Sequence, residues 1–238
     1  MSPYHFHTRV FYGDIDNSLN MSLSGALRLM QEAAMIHSDQ SGYSVMDVEH
    51  TRVVWMLVQW RVRLTGTVRW GEPVEVITWP RTMERLTSDR CFRILDKDGN
   101  EVAIGESTWL LANADTGRVM RIPQSVMDAY ELVEDGVFDT LAEKLPHEIG
   151  EEIYKGTVGR RDLDTNRHVN NLVYLEYAKD ALPAEAMNDW SEVIIRYHRQ
   201  LLLGDLYHCC YKKQSNGHAV QICGDDPKQL HCSVLFLP

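Results

Sequence analysis

A polar segment and a weaker copy of it, each followed by an apolar helix-like run, constrain the fold of this chain most. Residues 162–171 read Asp-Leu-Asp-Thr-Asn-Arg-His-Val-Asn-Asn, and residues 14–20 read Asp-Ile-Asp-Asn-Ser-Leu-Asn. Both copies keep two aspartates separated by one residue, but Asn20 stands where His168 stands. The pattern supports two related halves, of which only the second carries an imidazole.

Both halves show the same predicted order of secondary structure, one helix followed by strands. In the first half Leu27, Met30 and Ala34 recur at helical spacing after a predicted N-cap at Ser22 or Ser24. Strands are predicted at 53–64, 74–79, 88–96 and 101–112. In the second half a helix is predicted at 172–182, and strands at 193–202, 206–213, 218–223 and 229–236.

Three segments follow from this order. Residues 1–123 form a first domain, residues 124–150 an acidic connector and residues 151–238 a second domain. The connector carries seven acidic residues and a single Lys, and Gly136 and Pro146 interrupt it. The predicted fold class is α+β, a tandem repeat in which each half is a long helix wrapped by a curved antiparallel β-sheet.

The charge and the apolar content of the chain limit its partners. A net charge of −10 at pH 7 over 238 residues argues against nucleic-acid binding. An odd number of cysteines, five, without a secreted pattern favours reduced thiols and a cytoplasmic protein. The longest apolar run, residues 53–58, is far shorter than the roughly 20 residues that span a bilayer, so no membrane span is predicted.

Two short motifs, His208-Cys-Cys210 and His231-Cys232, contain the residue types that bind metals. Neighbouring side chains on a strand point to opposite faces, so Cys209 and Cys210 cannot easily reach one ion. We therefore predict buried free cysteines rather than a zinc site, and the sequence implies neither a metal nor a cofactor.

The second polar segment fits acid–base chemistry better than it fits two structural alternatives. An EF-hand calcium loop needs Gly where Arg167 stands and Glu where Val173 stands. Helix capping by Asn170 or Asn171 explains one amide and leaves His168 without a role. An imidazole exchanges protons near neutral pH, and an Asn amide or the N–H groups of a helix start can stabilise an oxyanion. These groups suit hydrolysis of an activated acyl group.

The pattern Asp164-x-Asn166-x-His168, followed by Val-Asn-Asn and then Tyr174, resembles the active-site loop of acyl-ACP thioesterases, which terminate fatty-acyl chains in plants and bacteria. The resemblance covers nearly the whole chain. It also includes Thr78-Trp-Pro80, Asp89-Arg90, Asp98-Gly99, Ser107-Thr-Trp109, and Thr116-Gly117 leading to Arg121-Ile-Pro123. It implies two tandem hotdog domains, the N-terminal one holding the acyl chain and the C-terminal one supplying catalysis.

The resemblance implies hydrolysis of acyl-ACP to free fatty acid, with Asp164, Asn166 and His168 in catalysis. One departure changes the expected mechanism, because the family places a Glu, often followed by a Cys, where Gln200 and Leu201 stand. Leu201 cannot be a nucleophile, and Gln200 cannot take a proton from water. Direct attack by water is therefore expected, with either Asp164 or His168 as the base and with Asn166 and Gln200 orienting the water or the carbonyl.

Substrate contacts are predicted in two places. Leu27, Met30 and Ala34 form the stripe expected against the acyl chain, although such a stripe equally suits plain core. Arg160 and Arg161 are expected to receive the acidic acyl carrier protein or the phosphate of its phosphopantetheine. The alternatives are an acyl-CoA thioesterase and a non-catalytic fatty-acyl-binding module. A homodimer is also compatible with the sequence.

Overall fold

Each half of the chain contains one strand, then one principal helix and then four strands. The structure, a computed structural model, describes residues 3–140, 142, 144–146, 148–187, 189–226 and 229–238. The first half contains β1 (Tyr4–Arg9), α1 (Leu23–Gln40), α2 (Val48–Thr51), β2 (Val53–Leu64), β3 (Pro73–Met83), β4 (Thr87–Asp96), β5 (Glu101–Asn113) and α3 (Gln124–Asp128). The second contains β6 (Glu151–Thr157), α4 (Asn171–Asp180), β7 (Glu192–Tyr197), β8 (Leu206–Gln214), β9 (Gly217–Cys223) and β10 (Leu230–Leu237).

The two halves share one strand order. It is β1-β3-β4-β5-β2 in the first half and β6-β8-β9-β10-β7 in the second. The pairs β1–β3, β3–β4 and β4–β5 are antiparallel, as are β6–β8, β8–β9, β9–β10 and β10–β7. The predicted α+β tandem repeat is therefore confirmed. The chain forms two compact units, Met1–Val58 with Val62–Leu141, and Gln59–Arg61 with Ala142–Pro238.

Helix α1 packs one apolar face on the first sheet. Ser22, one of the two predicted caps, begins the helix, and its Oγ accepts a hydrogen bond from Gly25 N at 3.0 Å. Ala26, Leu27 and Met30 are buried against strands of that sheet, chiefly β3. Burial of a leucine-sized side chain contributes about 1.5–3 kcal/mol, so this face holds the helix to the sheet. No helix among the described residues is long and apolar enough to cross a bilayer.

Helix α4 is shorter than α1, and its buried face includes two tyrosine side chains. Asn170 begins it, and its Oδ1 accepts from Leu172 N at 3.0 Å, so this Asn performs the capping role that the sequence allowed. Tyr174 and Tyr177 are buried on the helix, and Tyr177 stacks on Tyr207 of β8 with ring centroids 4.0 Å apart. The second core is therefore built partly from tyrosine rings, and the hydroxyl of Tyr174 bonds backbone groups of residues 199 and 201.

Several elements differ from the sequence prediction, among them the short helix α2. Strands β1 and β6, which open the two halves, were not predicted. β6 is exposed along nearly its whole length, so it lacks the alternation that marks a half-buried strand. The strand predicted at 193–202 ends at Tyr197 as β7. Beyond that residue, the N–H groups of His198 and Arg199 both donate to His231 O, at 2.8 and 3.2 Å, which ends the regular ladder.

Candidate active site

The loop that carries His168 runs from a 3-10 turn, Arg160–Asp162, to the start of α4. A backbone hydrogen bond closes it, because Asp164 N donates to His168 O at 2.8 Å. Arg167, which precedes the histidine, has a φ of 63°, so the chain reverses through the left-handed region. The closed loop gives the imidazole a defined position on the backbone.

The corresponding loop of the first half has the same backbone geometry without the imidazole. It follows the 3-10 turn Tyr12–Asp14. Asp16 N donates to Asn20 O at 2.8 Å, and Leu19, which precedes Asn20, has a φ of 64°. The loop therefore reaches its shape with an Asn at the histidine position. The imidazole of His168 is not needed for the shape of the loop.

Asp164 holds the turn with one of its two carboxylate oxygens. Oδ1 accepts from Asn166 N at 2.8 Å and from His168 N at 3.2 Å. Asp16 Oδ1 accepts from the N–H groups two and four residues further on in the same way, at 2.8 and 3.1 Å. This part of the role of Asp164 is structural. Its Oδ2 has no hydrogen-bond partner within the described residues, so that oxygen can accept from water or substrate.

His168 is half-buried and Asn166 is exposed. The backbone of His168 pairs with Leu202, and no described residue makes a hydrogen bond to its imidazole. Both ring nitrogens can therefore meet a ligand. The loop brings Asp164, Asn166 and His168 into one turn, as the sequence predicted, with the aspartate oxygen bonded to the backbone of the other two.

Gln200 lies in the irregular segment that follows β7, and it is exposed. The two residues after it pair with the His168 loop, since Val169 N donates to Leu201 O at 3.0 Å and Leu202 bridges His168. Backbone pairing therefore places Gln200 beside the loop. Leu201 is fully buried, so its side chain belongs to the core.

The remaining predicted contact residues fall into two different environments. Arg160 and Arg161 are exposed in the 3-10 turn that leads into the His168 loop, and the Arg161 side chain is 95% exposed. Leu27, Met30 and Ala34 are 0%, 0% and 4% exposed. A cleft of about 350 Å³ in the first unit is lined by His37, Asp128, Ala129, Tyr130 and Glu131.

All five cysteines are free and buried. Burial raises the pKa of the Cys91 and Cys223 thiols to about 12, so these thiols stay protonated and unreactive. Across the described ranges, no three His, Cys, Asp or Glu side chains are arranged to hold a metal ion.

Comparison with known proteins assigns the chain to a family. The sequence model of the acyl-ACP thioesterase N-terminal domain matches residues 3–130, and that of the acyl-ACP thioesterase C-terminal domain matches residues 147–231. The chain belongs to the acyl-ACP thioesterase family. The resemblance found in the sequence is thereby confirmed.

Curated members of the acyl-ACP thioesterase family are similar to this chain at low identity. A chloroplastic palmitoyl-acyl carrier protein thioesterase of Cuphea hookeriana is 26% identical over 197 residues, covering 75% of this chain and 47% of that protein. A chloroplastic oleoyl-acyl carrier protein thioesterase of Arabidopsis thaliana is 24% identical over 200 residues, covering 75% and 54%. The chain spans about half the length of these relatives.

Solved structures share the fold across the whole chain. An acyl-ACP thioesterase from Bacteroides thetaiotaomicron has a TM-score of 0.87 at 19% identity, covering 98% of this chain and 96% of that one. A 12:0-ACP thioesterase from Umbellularia californica has a TM-score of 0.83 at 20% identity, covering 99% and 96%. This likeness confirms the tandem hotdog architecture.

The acyl-ACP thioesterase domains contain all of the predicted site residues. Asp164, Asn166, His168 and Gln200 lie within the match to the C-terminal domain, and the stripe of α1 lies within the match to the N-terminal domain. The sequence analysis named Tyr174 as part of the family motif and His231 as part of a short His-Cys motif, but it did not predict their contacts with Gln200. Tyr174 bonds the backbone on either side of Gln200, and His231 bonds its carbonyl. The sequence carries no signal for these bonds, because His231 is distant in the chain.

Proposed function

We propose that this chain hydrolyses acyl-ACP thioesters to free fatty acid and acyl carrier protein, in fatty acid biosynthesis. The observation that carries the proposal is the pair of loops, one with His168 and one with Asn20, on the same backbone geometry. The loop does not need His168 for its shape. His168 is half-buried, and both of its ring nitrogens are open to a ligand. These properties fit a role in proton transfer.

The proposed reaction is direct hydrolysis. The oxygen of a water bonds to the thioester carbonyl carbon, the carbon–sulfur bond breaks, and one proton of the water ends on the carrier thiol. Either Asp164 Oδ2 or the imidazole of His168 takes the proton from water, and Asn166 and Gln200 orient the water or the carbonyl. A Gln side chain donates and accepts hydrogen bonds but takes no proton at neutral pH, so Gln200 acts by orientation.

We assign the acyl chain to residues 1–123 and catalysis to residues 151–238, with residues 124–150 as the connector. Leu27, Met30 and Ala34 are the proposed contacts of the chain. Because these side chains are buried, an acyl chain reaches them only if the packing around them rearranges. Exposed Arg160 and Arg161 are the proposed contacts of the acidic carrier protein or of its phosphopantetheine phosphate.

The test is release of free thiol from a series of acyl-ACP substrates of increasing chain length. The purified protein should turn over at least one of them. His168→Asn gives the second loop the residue of the first, and it should lower kcat about 10²- to 10⁴-fold while the thermal unfolding profile is kept. Asn20→Ala, at the matching position of the first loop, should leave kcat unchanged. Full activity of His168→Asn would refute the site assignment.

Two outcomes would identify a different function. Faster turnover of acyl-CoA than of acyl-ACP with the same chain would mark an acyl-CoA thioesterase. Tight binding of acyl-ACP with no thiol release for any chain length would mark a non-catalytic fatty-acyl-binding module. Gln200, which lacks the proton-accepting group of a Glu, is the observation that favours this second candidate.

A further inference from the structure

The segment that carries Gln200 lies outside the sheet and needs partners for its backbone. β7 ends at Tyr197, and no regular strand continues through residues 198–202. Buried backbone N–H and C=O groups that lack a partner cost free energy, so whatever satisfies them also fixes the course of the chain. Around Gln200 these partners are side chains from α4 and β10.

Tyr174 of α4 holds the residues on both sides of Gln200. Its hydroxyl accepts a hydrogen bond from Leu201 N at 2.9 Å and donates a longer one to Arg199 O at 3.5 Å. The ring is 2% exposed and lies edge-on to Tyr197, with centroids 5.7 Å apart. One fixed hydroxyl therefore bridges the residue before Gln200 and the residue after it.

His231 of β10 holds Gln200 itself. Its Nδ1 lies 3.1 Å from Gln200 O, and because a carbonyl only accepts, Nδ1 carries the hydrogen and donates it. Burial lowers the pKa of His231, whose ring is 4% exposed, so the neutral ring with its hydrogen on Nδ1 fits this bond. The carbonyl of the same residue accepts from His198 N and Arg199 N. The backbone of residues 198–201 is thus tied to two buried side chains and one strand.

We propose that Tyr174 and His231 are positioning residues that act through Gln200. They fix its backbone beside the His168 loop, so that its amide stays within reach of the water or thioester that the loop binds. This inference rests on the proposed function, because Gln200 has an orienting role only if the reaction takes place there. Neither residue is placed in contact with substrate.

The first test is a double-mutant cycle on acyl-ACP hydrolysis. Tyr174→Phe should lower kcat roughly tenfold with little change in KM, because a displaced orienting group weakens attack but not binding. In a Gln200→Ala background the same substitution should have almost no further effect. Tyr211→Phe, which removes a hydroxyl bonded to His218 far along β8, should change neither constant. An undiminished effect of Tyr174→Phe in the Gln200→Ala background would overturn the proposal.

The second test replaces His231 with one residue that can donate a hydrogen bond and one that cannot. An Asn amide can donate from nearly the position of Nδ1, whereas Leu cannot donate, so His231→Asn should retain more kcat than His231→Leu. Both variants should unfold at similar temperatures if the difference arises at Gln200. Equal kcat for the two variants would contradict the role assigned to the Nδ1 bond.

The third test does not depend on turnover and separates this inference from the proposed function. Hydrogen exchange of the backbone amide of Leu201, measured by NMR, should be faster in Tyr174→Phe than in the wild type. It should be unchanged in Tyr211→Phe. A protein that hydrolyses no acyl-ACP would refute the proposed function. Unchanged exchange at Leu201 would refute the anchoring by Tyr174 whether or not the protein is active.

Discussion

The side chain of Asp164 contributes to the shape of the loop that it shares with His168, whereas the imidazole of His168 does not. Asp164 Oδ1 accepts two backbone N–H groups, so removal of the side chain would disturb the turn as well as any chemistry. His168 makes no such bond with its ring, and Asn20 shows that the same loop shape forms without an imidazole. Substitution of His168 therefore measures chemistry more cleanly than substitution of Asp164.

A second histidine, His37 near the C-terminal end of α1, has a structural role of its own. Its ring stacks on Tyr4, with centroids 5.4 Å apart, and its Nδ1 lies 2.9 Å from Nη1 of buried Arg90. A guanidinium only donates, so Nδ1 accepts and the ring is neutral. Burial, and then the charge of Arg90, lower the pKa of His37 from 6.5 to about 4.

The lowered pKa of His37 predicts a specific loss of stability in acid. The unfolded chain takes up this proton first as pH falls, so the contribution is complete above pH 6.5 and is lost between pH 6.5 and about 4. Its size is up to about 3 kcal/mol. Urea unfolding from pH 7 to pH 4 should show the wild type losing that much free energy of unfolding relative to His37→Asn, which keeps an acceptor for Arg90. A difference that does not change with pH would contradict the assignment.

At the scale of elements, the sequence predicts those whose own residues determine them. Helix α1 begins at a predicted cap because the Ser22 hydroxyl satisfies a local N–H group, and the 98–99 turn forms because Gly99 takes a φ of 82°. The end of β7 is different, because it depends on His231, which is distant in the sequence. The partners of Gln200 could not be predicted for the same reason, since they too are distant in the sequence. The turn of Asp164, Asn166 and His168 was predictable because its hydrogen bonds are local.

The start of α1 offers a prediction about packing between elements. A Cβ at Gly25 would lie 2.2 Å from Asp14 O, a backbone atom that already accepts from Ser22 N at 2.8 Å. Gly-to-Ala in a helix is ordinarily favourable by about 0.5–1 kcal/mol, but here the contact dominates. Gly25→Ala should cost about 2 kcal/mol or more in chemical unfolding. Gly13→Ala, whose Cβ would meet only the flexible end of Arg28 at 3.4 Å, should change stability little. Equal stability of the two variants would refute the close approach.

Over the whole molecule, the distribution of charge determines where an acidic protein could be attracted to the surface. The net charge of −10 repels an acidic carrier protein at long range, and residues 124–150 contribute seven of the acidic side chains. Attraction of the proposed carrier protein would therefore have to be local, within about one Debye length, roughly 8 Å at physiological salt. The exposed guanidinium groups of Arg160 and Arg161, at the entrance to the His168 loop, meet that requirement.

This distribution predicts how charge removal divides between binding and turnover. Arg160→Ala combined with Arg161→Ala should raise KM for acyl-ACP roughly tenfold, leave kcat nearly unchanged and flatten the dependence of KM on salt. Lys212→Ala with Lys213→Ala makes the same change in net charge on β8, close to the turn that leads into β9. This control should leave KM near that of the wild type.

Acyl-CoA, which presents phosphate but no carrier protein, separates the two proposed contacts of Arg160 and Arg161. If its KM rises equally, the arginines bind the phosphate. If only the KM for acyl-ACP rises, they bind the protein surface. An unchanged KM for both substrates would exclude either contact, because the loss of two positive charges at a docking surface cannot be silent at low salt.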